Sequence, residues 1–295
     1  MTESEARTVL FDILARLSVE AGDCLMLGID MGRLPLPAYS AAFNREAFRE
    51  REQKWCKFIL DALLDAVGEY GTLIVPSYTY SCGKKGSIFV AEQTPSENGP
   101  FTEYFRSRPQ AIRSLHPLFS LSAIGAHAQS ILSSCGRSAF GSMSPFGRFA
   151  EHGTRFVCLG VELRNSITYI HHLEQMYGCP HRYNKAIVTQ VIANGVDFGC
   201  NWYASVNYRG LGYTSDISRL QTALDEKGLL VSANWSGYPN QLAEIDDVNI
   251  MGNFLLAKDS GAFINHRLTF SFEEAAVSHT VKGDRVMLVI ETKQN

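Results

Sequence analysis

The chain has 295 residues, enough to bury a large core, with 45% hydrophobic and 19% charged residues. A formal net charge of -3 and the lack of a basic run exclude the electrostatic footprint of a nucleic-acid binder. No apolar stretch approaches the ~20 residues of a membrane span, and the acidic, amphipathic start is no signal peptide. The seven cysteines are scattered and form no CxxC pair, so they read as reduced thiols and the expected compartment is the cytoplasm.

Residues 2–23 predict an amphipathic helix, because Thr2 and Glu5 have capping-box spacing and Val9, Leu10, Ile13, Leu14 and Leu17 share one face. "CLMLGI" predicts a buried strand. The next helix carries Trp55, Phe58, Ile59, Ala62, Leu63 and Ala66 at helical spacing and stops near Gly68, before a strand that ends at Pro76. "FSLSAIG" and "RFVCLGV" predict two more strands, with a helical "AHAQSILSS" after the first. Helices alternating with short apolar strands indicate a layered α/β sheet. Asn194-Gly195, between two β-rich runs, predicts an antiparallel hairpin after it. The tail predicts a helix around "AEIDDVNIMGNFLLA" and strands at "AFINHRLTFSF" and "DRVMLVIET". With no repeat or linker, residues 1–295 read as one unit. Residues 1–183 form its α/β portion with the chemical motifs, and 184–295 its hairpin-bearing, acceptor-side portion.

"SITYIHHLEQMYGCPHRY" holds three of the eight histidines. Asn165 suits an N-cap for a helix over 166–177, on which His171 and Glu174 are i, i+3 neighbours. A carboxylate beside an imidazole fixes its tautomer and favours its charged form, which suits a general base. Spacing alone leaves a solvated face or a core histidine open. His171, His172 and His181 also raise a metal-assisted hydrolase, but HExxH is absent and His172 points ~100° from His171. The glycines form neither GxGxxG nor a P-loop, and there is no GxSxG elbow. Cys179 is a possible acyl-accepting thiol or a structural cysteine.

In order along the chain stand Gly71-Thr72-Leu73 leading into "VPSYTY", Arg113-Ser114-x-His116-Pro117, Ser144-Pro145 and His171-x-x-Glu174. Together they resemble the aminoglycoside 3-N-acetyltransferase family, over roughly residues 23–183 and more loosely beyond. The resemblance implies a three-layer α/β/α sheet with an added antiparallel β portion. It also implies acetyl-CoA or another acyl-CoA as donor and a small-molecule amine as acceptor, with a homodimer compatible; the residue spacing gives no metal site. By motif position His171 is the general base and Glu174 its orienting partner. Ser114, His116 and the Ser144–Phe146 loop lie along the coenzyme, as does the loop of Asp30, Met31 and Arg33, with Arg33 available to a phosphate. Ile29-Asp30-Met31 departs from the His-Ser-Ser-like stretch that many drug-acetylating members carry there.

The expected mechanism is direct attack by an amine that His171 deprotonates, with a backbone N–H or the Ser77 or Thr79 hydroxyl meeting the developing oxyanion. The main expectation for the acceptor is an amino sugar, plausibly nucleotide-linked. It rests on the likeness of "QMYGCPHRYNKA" to polysaccharide-building members and on Arg182 and Lys185 as cations for a pyrophosphate. The alternative is an aminoglycoside antibiotic. Tyr177, Tyr183, Trp202 and Trp235 offer stacking faces or core.

Overall fold

The computed structural model describes residues 1–39, 44–208 and 212–265 in full, and the backbone alone of 276–282 and 285–291. Chain order begins with α1 (Glu3–Arg16), β1 (Cys24–Ile29), α2 (Arg45–Val67), β2 (Thr72–Pro76), β3 (Ile88–Val90), α3 (Pro100–Arg106), β4 (Ile112–Arg113), β5 (Leu121–Gly125), α4 (Ala128–Leu132) and β6 (Arg155–Leu159). It continues with α5 (Ile170–Tyr177), β7 (Arg182–Val188), β8 (Gln190–Ala193), β9 (Val196–Asp197), β10 (Asn201–Asn207), α6 (Ser218–Glu226), β11 (Val231–Ser232), β12 (Asn240–Glu244) and α7 (Ile245–Lys258). A hairpin of β13 (Ala276–Lys282) and β14 (Arg285–Glu291) follows. The strand expected at "AFINHRLTFSF" lies largely outside the described residues. Its described start is a turn, with Ile264 in an isolated bridge to Ser215.

The main sheet has the order β11-β12-β6-β1-β2-β5-β4. β6, β1 and β2 are parallel, and the flanking pairs β12–β6 and β2–β5 are antiparallel. Strand alternation divides the apolar residues between two faces. Leu25 and Leu27 of β1 join Leu73 and Val75 of β2 in the core under α1, α2 and α3. Cys24 and Met26 join Ile74, Phe156 and Cys158 in the core under α4, α5, α6 and α7. This is the expected sandwich of one sheet between helical layers.

Thr2 and Glu5 form the expected capping box on α1, which ends at Arg16 rather than near residue 23. Gly68 closes α2 at φ 66. Asn194 and Gly195 take φ 48 and φ 73, the double left-handed turn that such a pair favours, between β8 and β9. The boundary near residue 183 is not a boundary of the sheet. β12 of the later portion pairs with β6, and β8 pairs with β3 of the earlier one. Arg155 ties the seams by reaching Ser18 O, Asp23 Oδ2 at 2.6 Å and Glu244 Oε1 at 2.8 Å.

Gly125 ends β5 at φ 130, and a Cβ there would lie 2.1 Å from the Gly71 carbonyl oxygen. Both the backbone conformation and the space demand glycine. Gly125→Ala should therefore lower the unfolding free energy by about 2–4 kcal/mol, read as a lower denaturant midpoint at an unchanged m-value.

Candidate active site

After β6 the chain turns at Gly160, where a Cβ would lie 2.8 Å from Asp30 O, and forms a short 3-10 turn over Leu163–Asn165. Ser166 then packs against Gly28, where a Cβ would fall 1.6 Å from the Ser166 hydroxyl oxygen. The helix expected over 166–177 begins only at Ile170, and Asn165 does not cap it. Asn165 ends the 3-10 turn and donates to Glu162 at 3.4 Å.

α5 carries His171 and Glu174 on one face, as the spacing predicts. Gly178 then adopts φ 77, and Cys179 N–H bonds back to the Glu174 carbonyl. That turn returns His181 and the first residue of β7, Arg182, to the same carboxylate. Glu174 is fully buried. Its Oε2 accepts from His171 Nδ1 at 2.9 Å and from Arg182 Nη1 at 2.6 Å, and its Oε1 accepts from His181 Nε2 at 2.9 Å. Arg182 is held in turn by Asn207 Oδ1 at 3.0 Å, Ser205 O at 2.6 Å and Ser205 Oγ at 3.1 Å, all from β10.

The electrostatics follow from this packing. Burial alone would raise the Glu174 carboxyl, but the two imidazoles and the guanidinium outweigh it and hold the carboxyl down to about 2. His171 is pushed below the ordinary histidine range, chiefly by burial; its bond to Glu174 opposes this and the Arg182 cation adds to it. A neutral His171 donates from Nδ1 to the carboxylate, which leaves the Nε2 lone pair free. The His171 side chain is 23% exposed, whereas Glu174 is 0% exposed, so a part-exposed ring stands beside a closed charge cluster.

The neighbouring histidines do other work. His172 Nδ1 donates to Phe140 O at 2.7 Å, and burial lowers its pKa. His116 Nδ1 accepts from the N–H groups of Leu118 and Phe119, and its Nε2 donates to Tyr203 O at 3.0 Å. Burial pushes His116 down to about 4, so it is a neutral brace between the β4–β5 loop and β10. Among the described residues no group of three or more His, Cys, Asp or Glu is placed to hold a metal. His171 and His181 each face Glu174 with one nitrogen, while His172 faces Phe140.

A cleft of about 640 Å³ opens at the β4 edge of the sheet, lined by Arg113, Ser114, His116, Arg137, Pro145 and Trp202 among others. Two of the segments expected along the coenzyme, at 114–116 and at 144–146, thus border one cavity. It adjoins α5 through Ser138, whose hydroxyl accepts from Gln175 at 3.0 Å. Asp30, Met31 and Arg33 are not among its lining residues. Asp30 caps its own 3-10 turn by accepting from Gly32 N–H and pairs with Arg33 at 3.1 Å, and Arg33 lies over the Tyr238 ring.

The expected hydroxyl contacts are also taken up inside the protein. Ser114 Oγ accepts from Leu121 N–H at 2.9 Å, and Ser144 Oγ donates to Gly141 O at 2.6 Å. Ser77 Oγ donates to Ser122 Oγ at 2.8 Å, and Thr79 Oγ1 donates to Pro95 O while accepting from Arg113. Phe146 is core. Neither Ser77 nor Thr79 has a hydroxyl proton left for an oxyanion. Burial pushes the Cys179 thiol up to about 12, which removes it as an acyl acceptor. Sequence reasoning missed Arg182 as a partner of Glu174, and Arg137 and Ser138 at the cleft. The only sequence signal for the first was a buried-looking helix followed at once by a glycine turn.

An imidazole fixed on a buried carboxylate, on a three-layer α/β scaffold, is an arrangement able to serve acid–base chemistry. The family model for aminoglycoside 3-N-acetyltransferase matches residues 48–248, and the chain belongs to that family. It is 32% identical over 141 residues to aminoglycoside N(3)-acetyltransferase VII of Streptomyces paromomycinus, a match that covers 41% of this chain and 49% of the relative. Against aminoglycoside N(3)-acetyltransferase VIII of Streptomyces fradiae the identity is 28%, with the same coverage. The matches thus span about half the length of these curated relatives. Among solved structures the chain resembles AAC-IIIb in binary complex with CoASH, at TM-score 0.67 and 20% identity, covering 88% of this chain and 97% of that one. AAC-VIa bound to sisomicin matches at TM-score 0.67 and 18% identity, over 88% and 98%. These likenesses establish the fold.

The Glu174 carboxyl sits lower in the folded chain than in an unfolded one, so it stabilises the fold above about pH 4.5 and loses that contribution as pH falls toward 2. The full effect is about 3 kcal/mol. Glu174→Gln should flatten the dependence of stability on pH across that window, measured as the difference between denaturant midpoints at pH 3 and pH 6. An unchanged difference would mean that Glu174 is not the titrating group.

Proposed function

We propose that the chain is an acetyl-CoA-dependent N-acetyltransferase acting on an amine of an aminoglycoside, with His171 as general base. The observation that carries this reading is His171 itself: Nδ1 is fixed on a buried carboxylate, and the side chain is part-exposed. When bound, the coenzyme supplies an activated acetyl thioester. His171 Nε2 accepts the proton from the acceptor amine as it attacks. Glu174 orients the ring and offsets the charge that appears on it, as the acid of a triad does. Family membership supports the chemistry, as do solved relatives in complex with CoASH and with sisomicin.

The expected preference for a nucleotide-linked sugar loses one of the two cations it rested on. Arg182 is not a free cation for a pyrophosphate, because its side chain is 5% exposed and committed to Glu174, Asn207 and Ser205. The acceptor reading therefore moves to the aminoglycoside named by the relatives.

The cleft beside Ser114 and His116 is the proposed coenzyme site. Its arginines fit an anionic ligand, and of Arg106, Arg113 and Arg137 it is Arg137 that is exposed. Among the described residues Arg137 stacks on Trp202 and bonds to the carbonyls of Phe198 and Asn201, whereas Arg106 is paired with Glu103 and Arg113 spends its donors on Ser77, Thr79, Ala91 and Ser120. Arg137→Glu should raise KM for acetyl-CoA about tenfold with kcat within about twofold. An unchanged KM in steady-state kinetics would take the coenzyme out of this cleft.

His171→Ala should lower kcat by about 10²–10⁴ while coenzyme affinity by calorimetry stays within about twofold. Wild-type enzyme supplied with acetyl-CoA and an equimolar mixture of aminoglycosides and nucleotide-linked amino sugars should acetylate the aminoglycosides with the higher kcat/KM, read by mass shift. The reverse order would overturn the acceptor assignment.

A further inference from the structure

Arg182 plays no part in the proton transfer as described, yet it bonds to the same carboxylate oxygen as the catalytic imidazole. Its Nη1 lies 2.6 Å from Glu174 Oε2 and 3.1 Å from His171 Nδ1. Because a neutral His171 uses its Nδ1 proton on Glu174, the arginine makes no bond to that nitrogen and stands against it as a fixed positive charge.

We infer that Arg182 is a positioning residue for the transfer: it keeps the buried Glu174 carboxylate ionised and aimed at His171 Nδ1, so that the imidazole rests neutral with Nε2 available to the amine. This deepens the proposed role of His171 and rests on that reading.

A fully buried carboxylate needs a compensating charge, since an unpaired one costs several kcal/mol. Among the described residues the polar side-chain partners of Glu174 are two imidazoles and one guanidinium, and of these the guanidinium carries a charge that it cannot lose near neutral pH. Without Arg182 the carboxylate recovers a cation by drawing a proton onto an imidazole that it already touches. The titratable and charged groups around His171 are Glu174 on its own helix, His181 in the following turn and Arg182 on β7. Tyr213 lies beside His181, and the 139–146 segment presents the Phe140 ring. His181 uses its Nε2 on Glu174, and its buried Nδ1 has no hydrogen-bond partner among the described residues, so this ring gives the carboxylate a single bond where Arg182 adds a fixed charge. β10 supplies the geometry, since Ser205 and Asn207 hold the guanidinium at three points and leave it one orientation toward the carboxylate.

The test is an NMR titration of the His171 imidazole in the full chain without substrate, its signal assigned by its loss in His171→Asn. In Arg182→Gln the His171 midpoint should move up by about one pH unit. The acid limb of kcat/KM against pH should move with it, so that kcat/KM falls about tenfold at pH values below the parent midpoint and returns toward the parent value above pH 8. Arg182→Lys keeps the charge but not the three-point hold. Its midpoint should stay within about 0.3 unit of the parent while kcat falls several-fold. A purely structural arginine would instead lower kcat equally at every pH with the midpoint unmoved, and that result in Arg182→Gln overturns the inference. If Arg182→Gln does not fold, by circular dichroism, the lysine variant decides: a midpoint raised by a full unit despite the retained charge overturns it. If His171→Ala keeps wild-type turnover, the base assignment fails, and the NMR midpoint still reports on Arg182 separately.

Discussion

One buried carboxylate organises the functional end of this molecule. Glu174 has no exposure, and its charge is offset by groups from α5, from the turn after it and from β7. Replacing any of these groups by an apolar side chain leaves a charge or a donor in the interior without its partner. The packing of β7 and β10 against α5 is therefore coupled to the ionisation of the site. Pairing β7 with β10 and bringing Arg182 to the carboxylate become the same event. The left-handed turn at Gly178 makes it possible, because a continued helix would carry His181 and Arg182 away from the carboxylate.

Much of the frame was legible from residue pattern. The capping box of α1, the glycine stop of α2, the apolar strands and the Asn194-Gly195 turn are local signals, and they appear where local physics puts them. His171 and Glu174 also met as helical spacing requires. Partnership over long sequence distances was not legible. β12 is a short run, Asn240–Glu244, and nothing in its five residues announces that it will close one side of the sheet against β6. The sequence offers Arg182 as a cation for a pyrophosphate, whereas its partner is Glu174, across a turn that the pattern does not expose.

The serines teach a related lesson. Ser77, Ser114 and Ser144 are of the right type and region to touch a coenzyme, yet each hydroxyl is spent inside the protein. A hydroxyl that pins a loop and one that holds a ligand leave the same mark in a sequence, because both satisfy a polar partner at a bend in the chain. The motif's value here is that it shapes the wall of a cleft. His116 does the same with a ring whose two nitrogens both serve backbone groups.

The strand order carries a consequence for biogenesis. β1 is the first strand made and the middle strand of the finished sheet, with β2 on one side and β6 on the other. Its partner β2 follows after one helix, but the opposite edge of β1 cannot be paired until residues 155–159 have left the ribosome. Until then an apolar strand, Cys24–Ile29, offers a row of open amide and carbonyl groups, the template on which chains stick to one another. Synthesis proceeds at ~5–20 residues per second, so each nascent chain holds this edge open for several seconds. A stalled or truncated product ending before β6 would keep it open permanently, which makes such fragments natural clients for chaperones and proteases rather than independently folding pieces.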